Sequence, residues 1–235
     1  MKKYFLFLMF SILLAPAARP WRLYDVLNAG DETQFLLYHI AGTYKETGEG
    51  KVIYCVSTPK GGDKNTFSRD AAGAMNAWIQ NTITHINKSG RQAEFGDIIK
   101  VLSGVQFYEA DCADADVEFV FNGPASYTRL NPLRVYLNKD NYKWQPVLHE
   151  AGHAFRTADL YEGSKNAAPR YGTDDGLESI MMDPSHKDLT CDDAEAVINI
   201  YDCFSRKEPF YRGGDKGWKS ICPGRDITYK KCMAE

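Results

Sequence analysis

The sequence predicts an α+β fold built around a mixed, twisted β-sheet. Between residues 51 and 138, short segments rich in β-branched and aromatic residues alternate with one long segment whose apolar residues follow helical spacing. A second helical segment starts near Pro146, and a stretch rich in Gly, Asp, Asn and Pro separates it from a third near residue 191. These observations predict a sheet with a backing helix, and a second helix over an irregular lower subdomain that ends in a C-terminal helix.

The N-terminus has the three regions of a secretory signal. Met1-Lys2-Lys3 precede an apolar run over residues 4–14, and Ala15-Pro16-Ala17 supply small residues for cleavage after Ala17. The run is shorter than the about 20 residues that span a bilayer, and no later stretch is apolar enough. We therefore expect a secreted or periplasmic protein without stable membrane insertion, and the short signal is typical of bacteria.

The first strands and the backing helix can be placed from local patterns. Residues 52–56 are apolar and β-rich, which predicts a central strand. Ser68 is a candidate N-cap for a helix over residues 69–86. The positions with helical spacing are Ala71, Ala74, Met75, Trp78, Ile79, Thr82 and Ile86. Residues 105–108 and 115–121 predict two more strands, the second because it alternates apolar and polar positions.

The remaining elements follow from alternation and from cap signals. Residues 134–138 alternate as a final strand, and Pro146 suits the first turn of the helix that follows. Thr190 with Asp193 three residues later is an N-cap signature for a helix over residues 191–203. One face of that helix would carry Ala194, Val197, Ile198 and Tyr201.

The second helix carries a metal-binding pattern, His149-Glu150-Ala151-Gly152-His153. Two histidines four residues apart lie one turn apart on the same helix face, so both imidazoles can reach one metal ion. Glu150 lies beside that ion without ligating it. The apolar flank at Val147 and Leu148 predicts a buried helix face, which favours a metal site over two solvated histidines. The pattern predicts one catalytic Zn²⁺ ion.

The longer segment HEAGHAFRTAD resembles the HExxHxxGxxH/D pattern of the metzincin clan of zinc metalloproteases, and it looks most like the snapalysin and immune inhibitor A families. The resemblance implies that Asp159 is the third ligand and that a fourth position holds water, whose pKa a bound zinc lowers to about 7. The segment at residues 179–184 is similar to the clan's methionine turn, which would place Met181 beneath the metal. Asp183 occupies the position where some metzincins have a tyrosine ligand, so no tyrosine ligand is expected.

The resemblance covers roughly residues 51–204 and also implies a fold. The order of strand, helix with the central Trp78, and further strands is similar to the upper subdomain of metzincins. Residues 122–128 would be the antiparallel edge strand that binds extended substrate. One position departs from the family, because Arg156 replaces a glycine at which the chain leaves the helix sharply. A left-handed backbone at a non-glycine residue costs roughly 1 kcal/mol or more.

The residues alone leave other third ligands open. Glu178 would suit a gluzincin-like arrangement, and residues 172–175 faintly resemble an aspzincin motif that includes Asp174 and Asp175. His186 is a further candidate. Asp174 and Asp175 are also carboxylates that can ligate calcium, although nothing else in the sequence supports a calcium site.

The resemblance implies a secreted zinc metalloendopeptidase that hydrolyses a peptide or protein substrate, with Glu150 as general base. The alternative is a secreted binding module that keeps the zinc-site scaffold and holds a peptide without turnover. The net charge of −3 gives no reason to expect nucleic acid as a partner. The sequence predicts no particular oligomeric state.

Four regions are expected: a signal peptide at 1–17, an N-terminal segment at 18–50, a metzincin-like catalytic domain at 51–204 and a cysteine-containing extension at 205–235. The 18–50 segment is either a lead-in to the sheet or a pro-peptide. In an exported chain the six cysteines predict three disulfides, without indicating which of the 15 pairings forms. None has the CxxC spacing of a cysteine zinc cluster. The cysteines are Cys55, Cys112, Cys191, Cys203, Cys222 and Cys232.

Overall fold

The chain forms a mixed α+β structure. The computed structural model describes residues 36–60, 62–130, 132–140, 142–155, 157, 179–181 and 187–205, without the side chains of Tyr38, Leu130, Asn199 and 202–205. Within these ranges there are five helices and a five-stranded sheet. In chain order they are α1 Leu36–Thr47, β1 Lys51–Ser57, α2 Lys64–Lys88, α3 Gln92–Ser103, β2 Gln106–Glu109, β3 Val117–Gly123, β4 Tyr127–Leu130, β5 Leu133–Asn138, α4 Trp144–Ala154 and α5 Cys191–Ser205.

The sheet has the strand order β2-β1-β3-β5-β4. All neighbouring pairs are parallel except β4 with β5, which is antiparallel, so β4 is an edge strand of opposite direction. Along β3 and β5 buried residues alternate with partly exposed ones, and Phe119 pairs with Val135 in the buried row. The mixed sheet predicted from the sequence is confirmed, and one of its faces supplies the core.

Helix α2 is the backing helix, and it starts earlier than predicted. Its N-cap is Asp63, whose side chain accepts hydrogen bonds from the backbone N–H groups of Asn65 and Thr66, so the prediction of Ser68 as N-cap is wrong. The Ser68 hydroxyl instead bonds the Tyr54 hydroxyl at 2.8 Å. The first two residues of α2, Lys64 and Asn65, are polar and exposed, so the apolar pattern of the helix does not include them. All seven apolar-face positions predicted for this helix are buried.

Two helices, α1 and α3, were not expected. In α1, the side chains of Leu36, Leu37 and Ile40 are fully buried and belong to the same core as the sheet. In α3 the buried residues are Phe95, Ile98, Val101 and Leu102, which have helical spacing. The helix interior contains Phe95 with non-helical φ/ψ of −121° and 25°, so the pattern is interrupted near its start.

The antiparallel edge strand lies at Tyr127–Leu130, not at residues 122–128. Asn122 and Gly123 belong to the end of β3 instead. A Cβ on Gly123 would lie 2.8 Å from the Ala125 carbonyl oxygen, so the chain can turn this tightly only with glycine there. The end of β3 and the turn together take up residues 122–126, so only Tyr127 and Thr128 of the predicted segment belong to the edge strand.

The last two helices agree with their cap signals. Pro146 lies in the first turn of α4. At α5, the Asp192 N–H donates to the Thr190 hydroxyl at 3.2 Å, and the Thr190 N–H donates to the Asp193 carboxylate at 2.9 Å. This reciprocal pair is a capping box with aspartate in place of glutamate. The predicted face of Ala194, Val197, Ile198 and Tyr201 is buried.

A disulfide joins Cys55 in β1 to Cys112, which lies between β2 and β3. Cys191 is disulfide-bonded as well, and Cys222, Cys232 and the Cys203 side chain lie outside the described residues. The prediction of disulfide bonds is therefore confirmed for Cys55, Cys112 and Cys191. Among the described helices, none is long and apolar enough to cross a membrane.

A buried carboxylate holds three helices together. Glu195 of α5 is 8% exposed, and its Oε1 lies 2.6 Å from His85 Nε2 of α2 and also contacts the guanidinium of Arg91, the N-cap residue of α3. Burial raises the pKa of Glu195, but the His85 hydrogen bond and the Arg91 charge outweigh it and hold the pKa below its ordinary value of 4.5. The ionised form is thus the one that the fold stabilises.

We expect Glu195→Gln to lower the free energy of unfolding near pH 7 by on the order of 1–3 kcal/mol, because a charged hydrogen-bond acceptor is lost from a buried site. A carboxyl with a lowered pKa in the folded state adds stability above its ordinary pKa, and this stability is lost as the pH falls through the lower folded value. Wild type should therefore lose stability more steeply than the variant below about pH 4.5. Denaturant unfolding between pH 7 and pH 3 measures this difference.

The matched control is Glu94→Gln. Glu94 also pairs with Arg91, at 3.6 Å, but its side chain is 44% exposed. Exposed pairs contribute about 0–1 kcal/mol, so this variant should remain close to wild type. Equal effects of the two substitutions would contradict the role assigned to Glu195.

Candidate metal centre

Helix α4 carries the HEAGH sequence and is packed into the core along most of its length. Val147, Leu148, Ala151 and Ala154 are buried. The indole Nε1–H of Trp78 in α2 donates to the Leu148 carbonyl oxygen at 2.8 Å. This bond ties the backing helix to the residue that precedes the first histidine and so holds α4 against α2.

The two histidines of α4 are oriented by main-chain carbonyls. His149 Nδ1 lies 2.8 Å from the Ile180 carbonyl oxygen, and His153 Nδ1 lies 2.8 Å from the Thr157 carbonyl oxygen. A carbonyl oxygen can only accept, so each Nδ1 carries the hydrogen and each Nε2 of the neutral ring carries a lone pair. The ring centroids are 5.0 Å apart and the ring planes are perpendicular. Metal-ligating histidines are commonly held in this way.

Met181 lies directly against the same helix. It is fully buried, and its Sδ is 2.7 Å from the position that a Cβ on Gly152 would occupy. The same position is 2.5 Å from Cζ2 of Trp78 and 2.9 Å from Oγ1 of Thr157. Glycine at 152 therefore lets three side chains approach the helix immediately before His153.

The helix ends with a bond that spans five residues. The Thr157 N–H donates to the Gly152 carbonyl oxygen at 3.2 Å, while the Phe155 N–H donates to the same oxygen at 2.9 Å. A bond from a residue to the one five before it is typical of a Schellman motif, in which the residue at the C′ position usually has a left-handed backbone. Arg156, the residue between Phe155 and Thr157, lies outside the described residues.

A buried aspartate joins the methionine segment to α5. Asp193 is fully buried, and its carboxylate accepts from the Ser179 hydroxyl at 2.6 Å and from the Ile180 N–H at 3.4 Å. Burial raises the pKa of Asp193, and the Ser179 hydrogen bond opposes this shift. Ile180 thus donates its N–H to Asp193 and accepts at its carbonyl oxygen from His149, so Asp193 holds the residue that orients the first histidine.

Glu150 lies between the histidines and contacts the edge strand. It is 5% exposed, and the hydroxyl of Thr128 in β4 is 2.9 Å from both its carboxylate Oε2 and its carbonyl oxygen. The sequence did not predict this contact, since a single threonine on a short strand carries no motif. Asp193 was predicted only as a helix cap, and its bond to Ser179 was likewise not foreseen.

The remaining predicted site residues lie outside the described part of the chain. These are Asp159 as third ligand, its rivals Asp174, Asp175, Glu178 and His186, the Asp183 position and Arg156. The structure brings His149, Glu150, His153 and Met181 together and leaves the third ligand as an expectation. The calcium ligands considered in the sequence, Asp174 and Asp175, therefore also lie outside the described residues.

Two other features of the described residues have the side chains of a possible site. Ligand atoms of Cys55, Cys112 and Glu118 lie close enough to share a metal. However, the two sulfurs form a disulfide, whereas metals bind the thiolate. Glu118 is in turn paired with Arg134 at 2.6 Å. This cluster therefore does not fit a metal ion in its oxidised state.

The second feature is a cavity of about 350 Å³ next to that disulfide. It is lined by Glu118, Arg134, His39, Asp116 and four other residues, and none of the HEAGH residues lines it. His39 and Asp116 are paired at 3.2 Å. Because its charged groups pair with one another, we assign it no chemistry.

We expect Gly152→Ala to destabilise the fold by about 1–3 kcal/mol, because the new methyl group would overlap buried atoms of Trp78 and Met181. Thermal or denaturant unfolding measures the loss. The control is Gly73→Ala in α2, where a Cβ would meet Trp144 at an ordinary 3.5 Å. Alanine in a helix interior is favoured over glycine by about 1 kcal/mol, so the control should be neutral or stabilised. A fully stable Gly152→Ala protein would contradict the packing described here.

The described residues thus present two imidazoles in the tautomer that ligates through Nε2, and the buried Glu150 lies between them in the sequence. Imidazole nitrogens are ligands that zinc prefers, so these residues fit that ion. No protein-family model matches this chain, and no curated protein matches it. The function is therefore inferred from the geometry of this site.

Proposed function

We propose that this chain is an exported zinc-dependent endopeptidase with a metzincin-like catalytic domain. The observation that carries the proposal is the orientation of His149 and His153, whose Nδ1 atoms both donate to main-chain carbonyls. With the rings held in this way, two Nε2 atoms on one helix face can ligate a single ion. Asp159 is proposed as the third protein ligand.

Glu150 is proposed as the general base. When bound, zinc lowers the pKa of a water molecule and polarises the carbonyl of the substrate. The Glu150 carboxylate takes the proton that the water loses on attack and delivers it to the leaving amine. Its near-complete burial excludes bulk water, which strengthens its electrostatic interactions with groups at the site.

An extended peptide is the proposed substrate. Strand β4 is the edge strand nearest the candidate site, because Thr128 touches Glu150. Among the described strands it pairs with β5 alone. A peptide that adds to such an edge would bring its backbone alongside the HEAGH helix. The edge strand therefore supports a peptide substrate over a small molecule.

The proposal is tested by cleavage profiling of residues 18–235 on a mixed peptide library, with mass-spectrometric detection and with or without a zinc chelator. Chelator-sensitive cuts at defined positions are the expected result. A preparation with one zinc per chain that binds peptides but cuts none would instead support the non-catalytic binding module. Absence of both zinc and cleavage would overturn the proposal.

Glu150→Gln should keep its zinc and lose at least about 10²-fold in kcat, since general-base removal typically costs 10²–10⁴-fold. Zinc content by mass spectrometry and turnover of a peptide from the profile are measured on the same preparation. The matched control is Glu94→Gln, because Glu94 is an exposed glutamate of α3. This variant should cleave the peptide at the wild-type rate. Wild-type turnover by Glu150→Gln would remove the residue from the mechanism.

His153→Ala should lose bound zinc, because two of the three proposed protein ligands cannot hold the ion as tightly. The measurement is zinc retained after dialysis against a weak chelator. His39→Ala provides the control, since His39 pairs with Asp116 outside the HEAGH helix. Full zinc occupancy in His153→Ala would show that the ligand assignment is wrong.

A further inference from the structure

We propose that Thr128 is a positioning residue that fixes the Glu150 carboxylate in its working orientation, an inference that rests on the proposed function. Thr128 lies in the edge strand β4, where it pairs with the buried Val135 of β5. Its hydroxyl crosses from the sheet edge to the helix and meets one residue of α4 at two points. Both contacts, to Oε2 and to the carbonyl oxygen of Glu150, are 2.9 Å long, so the single hydroxyl hydrogen is shared between two acceptors.

These two contacts constrain the side chain of Glu150 relative to its own backbone. The carbonyl oxygen is a fixed point on the helix, so a hydroxyl held against it is also fixed. Oε2, which bonds the same hydroxyl, is then restricted to a small region beside the helix. A flexible side chain with three rotatable bonds loses most of its freedom before any substrate arrives.

Such restriction affects the rate of the proposed reaction because a base must lie within hydrogen-bond reach of the proton that it removes. With Oε2 held by Thr128, one oxygen of the carboxylate is positioned by the sheet edge. Thr128 would not touch the substrate's reacting atoms, so its effect on catalysis would pass through Glu150.

The contact also joins two parts of the proposed machinery. β4 is the strand to which an extended peptide would add, and Glu150 is the base that would act on that peptide. A hydroxyl that links them keeps the distance between the bound backbone and the base constant. Valine has nearly the same shape as threonine but carries a methyl group in place of the hydroxyl, so it cannot form this link. Serine keeps the hydroxyl and should preserve the link.

The experiment compares Thr128→Val with Thr128→Ser on a peptide that wild type cleaves. For Thr128→Val we expect kcat to fall by roughly 10- to 100-fold, because small misplacements of a catalytic group have effects of this size. KM and zinc content should stay within about twofold of wild type, since the change affects the base alone. Thr128→Ser should keep kcat within about threefold of wild type, because it retains the hydroxyl.

The matched control is Thr82→Val in α2. Thr82 is fully buried whereas Thr128 is partly buried, and among the contacts resolved for it the Thr82 hydroxyl bonds only the Trp78 carbonyl oxygen, at 2.9 Å. The Thr82→Val variant should keep wild-type kcat. This result would distinguish the loss of any threonine hydroxyl from the loss of the Thr128 hydroxyl that contacts Glu150. Wild-type kcat in Thr128→Val would overturn the inference, and so would an equal fall in Thr128→Ser.

A structural readout separates this inference from the proposed function. Crystal structures of wild type and Thr128→Val, prepared under the same conditions, are compared at Glu150. A shifted carboxylate with unmoved His149 and His153 rings supports the positioning role, even if no peptide is cleaved by wild type and the proposed function fails. An unmoved carboxylate in Thr128→Val overturns the positioning role, whatever the activity of wild type.

Discussion

The two hydrogen bonds from the histidine Nδ1 atoms to main-chain carbonyls are the interactions on which the site depends. The acceptors come from different parts of the chain: Thr157 follows the helix directly, whereas Ile180 lies 31 residues beyond His149. An imidazole on a helix can rotate about its side-chain bonds, and only an acceptor on its far side selects one orientation. Each ring is therefore aimed by the backbone that packs beneath it.

The position of the Ile180 carbonyl depends in turn on α5. Asp193 receives bonds from Ser179, Ile180 and Thr190, and thus ties the methionine segment to the start of that helix. Helix α5 is itself held to α2 and α3 through Glu195. The buried carboxylates of Asp193 and Glu195 are each surrounded by several donors, which offset the cost of burying them. The same arrangement makes the orientation of His149 sensitive to how the C-terminal helix packs.

Close approach is the second constraint on the site. Gly152 allows Trp78, Met181 and Thr157 to contact the helix at one point, so the sulfur of Met181 lies beneath the HEAGH turn. Trp78 contributes twice, since its indole also bonds the Leu148 carbonyl oxygen. Protein cores pack at crystal-like density. The position of the histidines therefore depends on where α2 places the Trp78 side chain.

Elements with a continuous local signal were predictable from the sequence. β1, β3 and β5 have β-rich or alternating runs, α5 has its cap signature, and the HEAGH spacing places two imidazoles on one helix face. Elements whose signal is weak or interrupted were missed or misplaced. Helices α1 and α3 were not predicted, and the start of α2 was predicted too late because its first two residues are polar and exposed. The edge strand starts later than predicted because of the turn at Gly123.

The sequence by itself determined which side chains are candidates for a metal site here, because helix periodicity alone brings His149 and His153 to one face of a helix. Only the tertiary structure decided how those groups are aimed. The acceptors at Ile180 and Thr157, the hydroxyl of Thr128 and the carboxylate of Asp193 reach the site through pairings between distant segments. No local pattern encodes such pairings, since they depend on which surfaces the core brings into contact.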